Sequence, residues 1–124
     1  MSTRPRVLLA DDYPDMVKAV SRLLALDCEI VGSVADGSAL LETAHRLQPD
    51  VVVLDVHLRH LNSLETCREL RRVSPEMKVI MFTAMDDPNT SQAFFEAGAS
   101  AFVSKLAPVD MLSSTIKRLC VDRG

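Results

Sequence analysis

Residues 51–55 read Val-Val-Val-Leu-Asp, four apolar residues followed at once by an acidic one. Because the apolar residues are consecutive rather than alternating with polar ones, they indicate a strand buried on both faces, as in a parallel sheet. Residues 6–10, Arg-Val-Leu-Leu-Ala, have the same character, and they too run into acidic residues, Asp11 and Asp12. These two segments therefore predict parallel strands with carboxylates at their carboxyl ends.

Further short apolar runs alternate with segments that have helical spacing. We predict additional strands near residues 29–34, 79–82 and 101–104. The first predicted helix begins at Pro14, the second covers residues 40–47 and the third covers about 64–73. The fourth runs from Asp87-Pro88 to Gly98 in the left-handed conformation, and the fifth begins at Pro108. Five strands that alternate with five helices predict a doubly wound α/β sheet without an internal repeat or linker.

The composition is that of an ordinary globular domain. The chain has 124 residues, of which 48% are hydrophobic and 25% are charged, so it can bury one core without disulfides. The net charge is −3 and no basic run is present, which argues against a nucleic-acid surface on this chain. The apolar runs are too short for a membrane span, and the N-terminus lacks the apolar core of a signal peptide. We therefore expect a cytoplasmic protein.

The three cysteines, Cys28, Cys67 and Cys120, are odd in number, far apart and surrounded by apolar residues. This pattern favours reduced core thiols over a metal site or a disulfide framework. His57 and His60 are three residues apart, but no further histidine or cysteine nearby supports a zinc site. His45 is interpreted as a surface residue.

Polar residues stand at the ends of four predicted strands. Asp11-Asp12, Asp55, Thr83 and Ser104-Lys105 should converge, because the carboxyl ends of parallel strands lie on one edge of the sheet. Three adjacent carboxylates repel one another unless a cation lies between them. Carboxylate ligands with positions left for water and phosphate oxygens suit Mg²⁺, or Mn²⁺ in its place.

The same residues suit phosphoryl chemistry. Asp55 could attack phosphorus as a carboxylate nucleophile and form an aspartyl phosphate. The metal and Lys105 would neutralise the equatorial oxygens, and Thr83 would donate a hydrogen bond to one of them.

At this point the sequence resembles the receiver domain of two-component response regulators. The resemblance is carried by Asp11-Asp12, Asp55, Thr83-Ala84, Phe102 and Lys105, in that order and each at a strand end or on the last strand. It extends from about Arg6 to Cys120. It implies a flavodoxin-like fold with strand order 2-1-3-4-5 and helices on both faces of the sheet.

The resemblance also implies roles for individual residues. Asp55 would be the phosphoacceptor, and Asp12 and Asp55 would bind Mg²⁺ through their side chains, with Asp11 acting through water. The backbone carbonyl of His57 would be a further metal ligand. Lys105, Thr83 and the backbone of Ala84 would contact the phosphoryl group.

A conformational change would follow phosphorylation. Thr83 would turn inward and Phe102 would follow it from an exposed to a buried rotamer. The altered surface would consist of the fourth helix, the fifth strand and the fifth helix. The implied partners are a sensor histidine kinase and a second phosphorylated copy, while DNA would be contacted only through an output domain outside this chain. We expect residues 1–124 to form a single receiver domain that regulates transcription through such an output domain.

Three positions depart from the pattern of the family. Arg59 stands where many members have Pro, Ser63 where they have Gly, and Leu106 where Pro often follows the lysine. The third difference leaves open whether the bond between Lys105 and Leu106 is cis, which without proline would cost about 2.5–4 kcal/mol.

Each candidate also has an ordinary structural interpretation. Asp11-Asp12 could cap a helix, Lys105 could be a solvated surface residue, and Phe102 could be permanent core.

Other function classes fit less well. A phosphatase of the haloacid dehalogenase type needs a second Asp two residues after the nucleophile, where this chain has His57. A flavin carrier would not place Asp11-Asp12 beside a phosphate, and no glycine-rich nucleotide motif is present. A stand-alone receiver that acts through protein–protein contacts remains the main alternative. We expect no enzyme activity beyond the domain's own phosphorylation and dephosphorylation.

Overall fold

The computed structural model describes residues 4–58, 62–84, 88–108 and 110–120. The strands are β1 (Arg6–Ala10), β2 (Glu29–Val34), β3 (Val51–Asp55), β4 (Lys78–Thr83) and β5 (Ala101–Ser104). The helices are α1 (Pro14–Leu24), α2 (Leu40–Leu47), α3 (Ser63–Val73), α4 (Pro88–Glu96) and α5 (Met111–Leu119), with one turn of 3₁₀ helix at Gly37–Ala39. Strands and helices alternate, apart from that extra turn.

All strand pairs are parallel, in the order β2-β1-β3-β4-β5. The predicted doubly wound fold with strand order 2-1-3-4-5 is therefore confirmed. Every residue of β3 is buried, as its unbroken apolar run predicts. In register, Ala10 pairs with Leu54, Asp55 with Phe82, and Thr83 with Ser104. This alignment brings the residues that end β1, β3, β4 and β5 to one edge of the sheet.

The sheet separates two apolar cores. On one face, Leu8, Val52 and Met81 pack with side chains of α2, α3 and α4. On the other, Val7 and Val53 pack with side chains of α1 and α5. Because side chains alternate across a strand, one continuous apolar run supplies both cores.

The ends of the helices differ in detail from the predictions. α3 begins at Ser63, one residue before the expected start, where the side chain of Asn62 accepts a hydrogen bond from the backbone N–H of Glu65 (3.1 Å). Pro108 does not open α5, which begins at Met111. The carbonyl of Pro108 instead accepts a hydrogen bond from the backbone N–H of Met111 (2.9 Å) in a turn before the helix.

The predictions made for one proline and one glycine are confirmed. Pro14 is the first residue of α1, and Gly98 has a φ of 110°, a conformation that side chains disfavour. The predicted cap Asp87 lies outside the described residues, as do Arg59 and His60.

Candidate functional site

Three carboxylates meet at the carboxyl edge of the sheet. Asp11 follows β1 and Asp55 ends β3, and both are buried, whereas Asp12 is half-buried. One oxygen from each carboxylate lies within 4.8 Å of the others. Such closeness follows from the register, because Asp11 and Asp55 come directly after the paired residues Ala10 and Leu54. The predicted convergence of these acids is thus present in the structure.

Lys105 lies among these acids. Its Nζ is 2.9 Å from Asp11 Oδ2 and 3.3 Å from Asp55 Oδ2, and it lies 5.6 Å from the centre of the Phe82 ring. Its backbone N–H donates to the carbonyl of Thr83 (2.7 Å), which fixes the start of the loop after β5. Lys105 is therefore a half-buried partner of two acids rather than a solvated surface residue.

The surroundings of Lys105 favour its charged form. Burial alone would lower the pKa of the ammonium, but the hydrogen bond to Asp11 and the charge of Asp55 outweigh it. The net result is that the pKa of Lys105 lies above its usual value. The side chain consequently remains a cation at neutral pH.

Backbone donors hold the remaining oxygens of the two buried carboxylates. The N–H of Tyr13 donates to Asp11 Oδ1 (2.9 Å), and the N–H of His57 donates to Asp55 Oδ1 (3.0 Å). Each of these carboxylates thus has one oxygen on the backbone and the other on Lys105. The capping interpretation of the acids does not apply, because the N-cap of α1 is Tyr13 and has no side-chain cap.

The donor set fits a hard divalent cation. Three carboxylates and one ammonium leave a formal charge of −2, which one divalent ion balances. Asp11, Asp12 and Asp55 are the residues that could hold such an ion. His57 is exposed beside them, two residues after Asp55.

The other predicted site residues lie around this centre. Thr83 ends β4 with its side chain fully buried, and Ala84 follows it at the surface. Phe102 on β5 is half-buried, and its ring centre is 6.2 Å from that of Phe94 on α4. Phe102 therefore connects the last strand to α4, close to where Thr83 ends its own strand.

Sequence reasoning missed two hydroxyl contacts in the loops of the site. Ser63 Oγ donates to the carbonyl of Val56 (2.5 Å), and Ser104 Oγ accepts from the N–H of Leu106 (3.0 Å). The peptide bond between Lys105 and Leu106 is trans. For Ser104, its position next to Lys105 was the available signal, whereas the sequence offers no signal for the contact of Ser63.

The cysteines do not contribute to this centre. Cys28 and Cys67 are buried thiols, and Cys120 is half-buried. Burial raises the pKa of Cys28 and of Cys67, with the charge of Asp27 adding to the effect at Cys28. His45 is exposed on α2, as expected for a surface residue. Within the described ranges, no helix combines the length and the apolar character needed to cross a bilayer.

Comparison with known protein families identifies the class. The response regulator receiver domain family matches residues 7–117, which is most of the chain. The chain therefore belongs to the response regulator receiver domains, which are regulatory modules of two-component systems.

Individual relatives agree with this assignment. The chain is 32% identical over 114 residues to the nitrate/nitrite response regulator protein NarP of Escherichia coli, covering 90% of this chain and 53% of the relative. It is 31% identical over 121 residues to a homologue of that regulator from Haemophilus influenzae, covering 96% of this chain and 58% of the relative. The chain thus spans about half the length of these curated relatives.

Solved structures show the same fold. The signal receiver domain of the putative response regulator NarL from Mycobacterium tuberculosis has a TM-score of 0.89 at 25% identity, covering 97% of this chain and 98% of that one. A LuxR-family two-component response regulator from Aurantimonas has a TM-score of 0.90 at 26% identity, with 97% and 87% coverage.

Proposed function

We propose that this chain is a phosphorylation-activated receiver in which Asp55 accepts a phosphoryl group from a phosphohistidine on a sensor histidine kinase. The observation that carries the proposal is the cluster of three carboxylates around Lys105, at the strand edge where doubly wound sheets bind ligands. Membership of the receiver family supports it.

The chemistry is a transfer between nucleophiles. A carboxylate oxygen of Asp55 forms a bond to phosphorus as the bond from phosphorus to the donor's imidazole nitrogen breaks, which leaves an acyl phosphate on Asp55. Negative charge on the phosphoryl oxygens is stabilised by the ammonium of Lys105, the hydroxyl of Thr83 and the backbone N–H of Ala84.

Mg²⁺, when bound, neutralises charge on the carboxylates and the phosphoryl group. Asp11, Asp12, Asp55 and the carbonyl of His57 would hold it. These residues suit Mg²⁺ for two reasons: they offer hard oxygen donors, and the three carboxylates keep a formal charge of −2 after the charge of Lys105 is counted.

The signal then passes to the surface formed by α4, β5 and α5. Thr83 moves toward the phosphoryl group, and Phe102 rearranges with it. The contact of Phe102 with Phe94 supports this route, because movement of the Phe102 ring must alter its packing on α4. In two-state terms, phosphorylation favours one of two packings that already exchange.

At the level of the whole protein, we propose a single receiver domain over residues 1–124 that acts in the cytoplasm. It would regulate transcription through an output domain, with homodimerisation on phosphorylation through the surface of α4, β5 and α5. The names of the relatives support this proposal, since they are response regulators about twice as long as this chain.

The test is phosphorylation by a small donor. Incubation with acetyl phosphate and Mg²⁺ should add one base-labile phosphoryl group, detected by intact-mass measurement, and omission of Mg²⁺ or the substitution Asp55→Asn should abolish it. Asp15→Asn is the matched control, because Asp15 is an exposed acid in the first turn of α1. An adduct of similar yield on Asp55→Asn would place the acceptor elsewhere.

A further inference from the structure

The peptide unit between Val56 and His57 is held from both sides. Its N–H, on His57, donates to Asp55 Oδ1 (3.0 Å), and its carbonyl, on Val56, accepts from Ser63 Oγ (2.5 Å). Because a peptide unit is planar, fixing the carbonyl direction also fixes the direction of the N–H. The hydroxyl of Ser63 therefore determines where the donor to the Asp55 carboxylate points.

The Ser63 hydroxyl is not occupied by capping α3. The side chain of Asn62 performs that task by accepting from the N–H of Glu65 (3.1 Å). Ser63 is the first residue of the helix, and only 8% of its surface is exposed. Its hydroxyl thus faces the loop that follows β3 rather than solvent or its own helix.

We propose that Ser63 is a positioning residue for Asp55. Through the Val56–His57 peptide, its hydroxyl holds Asp55 Oδ1 on the backbone and leaves Oδ2 directed toward Lys105, at 3.3 Å. The inference rests on the proposed role of Asp55 as phosphoacceptor and adds a residue to it. Glycine, which many family members have at this position, offers no hydroxyl for this contact.

The arrangement also polarises the peptide. A hydroxyl that donates to the carbonyl makes the N–H of the same unit a stronger donor, so the two hydrogen bonds reinforce each other. A hydrogen bond of this kind contributes a net factor of about three to ten in an equilibrium constant. This range sets the size of the effect expected below.

The experiment compares Ser63→Ala and Ser63→Thr with the unmodified chain. Ser63→Ala should shift the His57 amide resonance in a ¹⁵N–¹H spectrum, and it should weaken Mg²⁺ binding and slow phosphorylation by acetyl phosphate, each about three- to tenfold. Ser63→Thr retains the hydroxyl and should restore the His57 resonance and both functional values to within about twofold.

Ser113→Ala is the matched control. Ser113 is also a buried serine near the start of a helix, and its Oγ donates to the carbonyl of Asp110 (3.2 Å), within its own segment rather than to the loop after β3. This substitution should leave the His57 resonance, Mg²⁺ affinity and phosphorylation rate unchanged. A purely structural role of Ser63 would make the two alanine variants alike.

The outcomes separate the two proposals. If the unmodified chain is phosphorylated and Ser63→Ala matches it in Mg²⁺ affinity, rate and His57 resonance, the positioning role is overturned and the phosphoacceptor remains. If the unmodified chain takes no phosphoryl group, the proposed function fails, while the His57 resonance still tests the contact. If Ser63→Ala does not fold, hydrogen exchange of the Ser63 hydroxyl proton in the unmodified chain tests the contact instead. A proton that is protected from exchange supports the contact, and one that exchanges freely contradicts it.

Discussion

At the scale of single residues, the balance of charge around Lys105 governs the site. Its ammonium contacts Asp11 and Asp55, while Asp12 adds a third negative charge within 4.8 Å. Without a divalent ion, the site holds an excess of negative charge, which favours ion binding and weakens the fold locally. Substitutions that change this balance should therefore alter stability with opposite signs.

Asp12→Asn should stabilise the protein in EDTA, by about 1 kcal/mol, because it removes one repelling charge. Lys105→Met should destabilise it in EDTA, by about 1–3 kcal/mol, because two buried carboxylates lose their counter-charge. Added Mg²⁺ should raise the unfolding midpoint less in Asp12→Asn, and more in Lys105→Met, than in the unmodified chain. Thermal unfolding with EDTA or Mg²⁺ measures this, and equal shifts in all three proteins would contradict it.

The buried thiols predict a loss of stability at high pH. The pKa of Cys28 and of Cys67 is raised in the folded chain, so above the usual cysteine pKa of about 8.5 the unfolded chain loses protons that the folded chain keeps. The free energy of unfolding should therefore fall between pH 8 and pH 10. Urea unfolding of a Cys28→Ala/Cys67→Ala double variant should show a shallower slope with pH, whatever its absolute stability. An unchanged slope would argue against buried thiols as the cause.

At the scale of elements, the turn between α4 and β5 depends on Gly98. Its φ is 110°, and a Cβ built on it would lie 2.6 Å from Cγ of Arg71 on α3. The backbone conformation and the contact with α3 both disfavour a side chain here. The position of β5, which carries Phe102 and leads to Lys105, thus depends on one glycine.

Gly98→Ala should lower the free energy of unfolding by about 1–3 kcal/mol, through backbone strain and the clash with Arg71. Gly32→Ala is the control, because its φ is not in the positive region and a Cβ there would meet only the flexible ends of Leu47, at 3.1 Å, and Leu8, at 3.6 Å. Urea unfolding of both variants tests the comparison, and a larger loss for Gly32→Ala would refute the argument.

The elements also show what the sequence could predict. The sequence correctly predicts that one edge of the sheet carries Asp11, Asp55, Thr83 and Lys105. Each of them ends or follows a strand, and parallel pairing aligns these strand ends. The sequence predicts that α5 starts at Pro108, whereas the helix starts at Met111. The prediction is wrong because a proline fits the turn before a helix as well as the first position of a helix.

The contact between Ser63 and Val56 could not be predicted for a different reason. Its two residues are seven apart, and the sequence between them has no periodicity, so no repeat in the sequence relates them. The pKa of Lys105 likewise depends on a balance between burial and two charges that needs distances. Hydrogen bonds across irregular loops and the sizes of electrostatic effects are thus the parts that require a structure.

At the scale of the whole molecule, the order β2-β1-β3-β4-β5 places the strands that carry the acids at the centre of the sheet. The crossover helices cover both faces, so the carboxyl edge is where the central strands can present polar groups to an ion or a phosphoryl group. Function at this edge and stability in the two cores are therefore largely separate.

The contact between Lys105 and Asp11 joins residues that are 94 positions apart. During synthesis on the ribosome, the acids after β1 and β3 emerge long before the lysine that pairs with them. A nascent chain arrested ahead of β5 would carry Asp11 and Asp55 without the cation that pairs with them. The charge pairing at this edge of the sheet thus forms only when β5 and the lysine that follows it have left the exit tunnel.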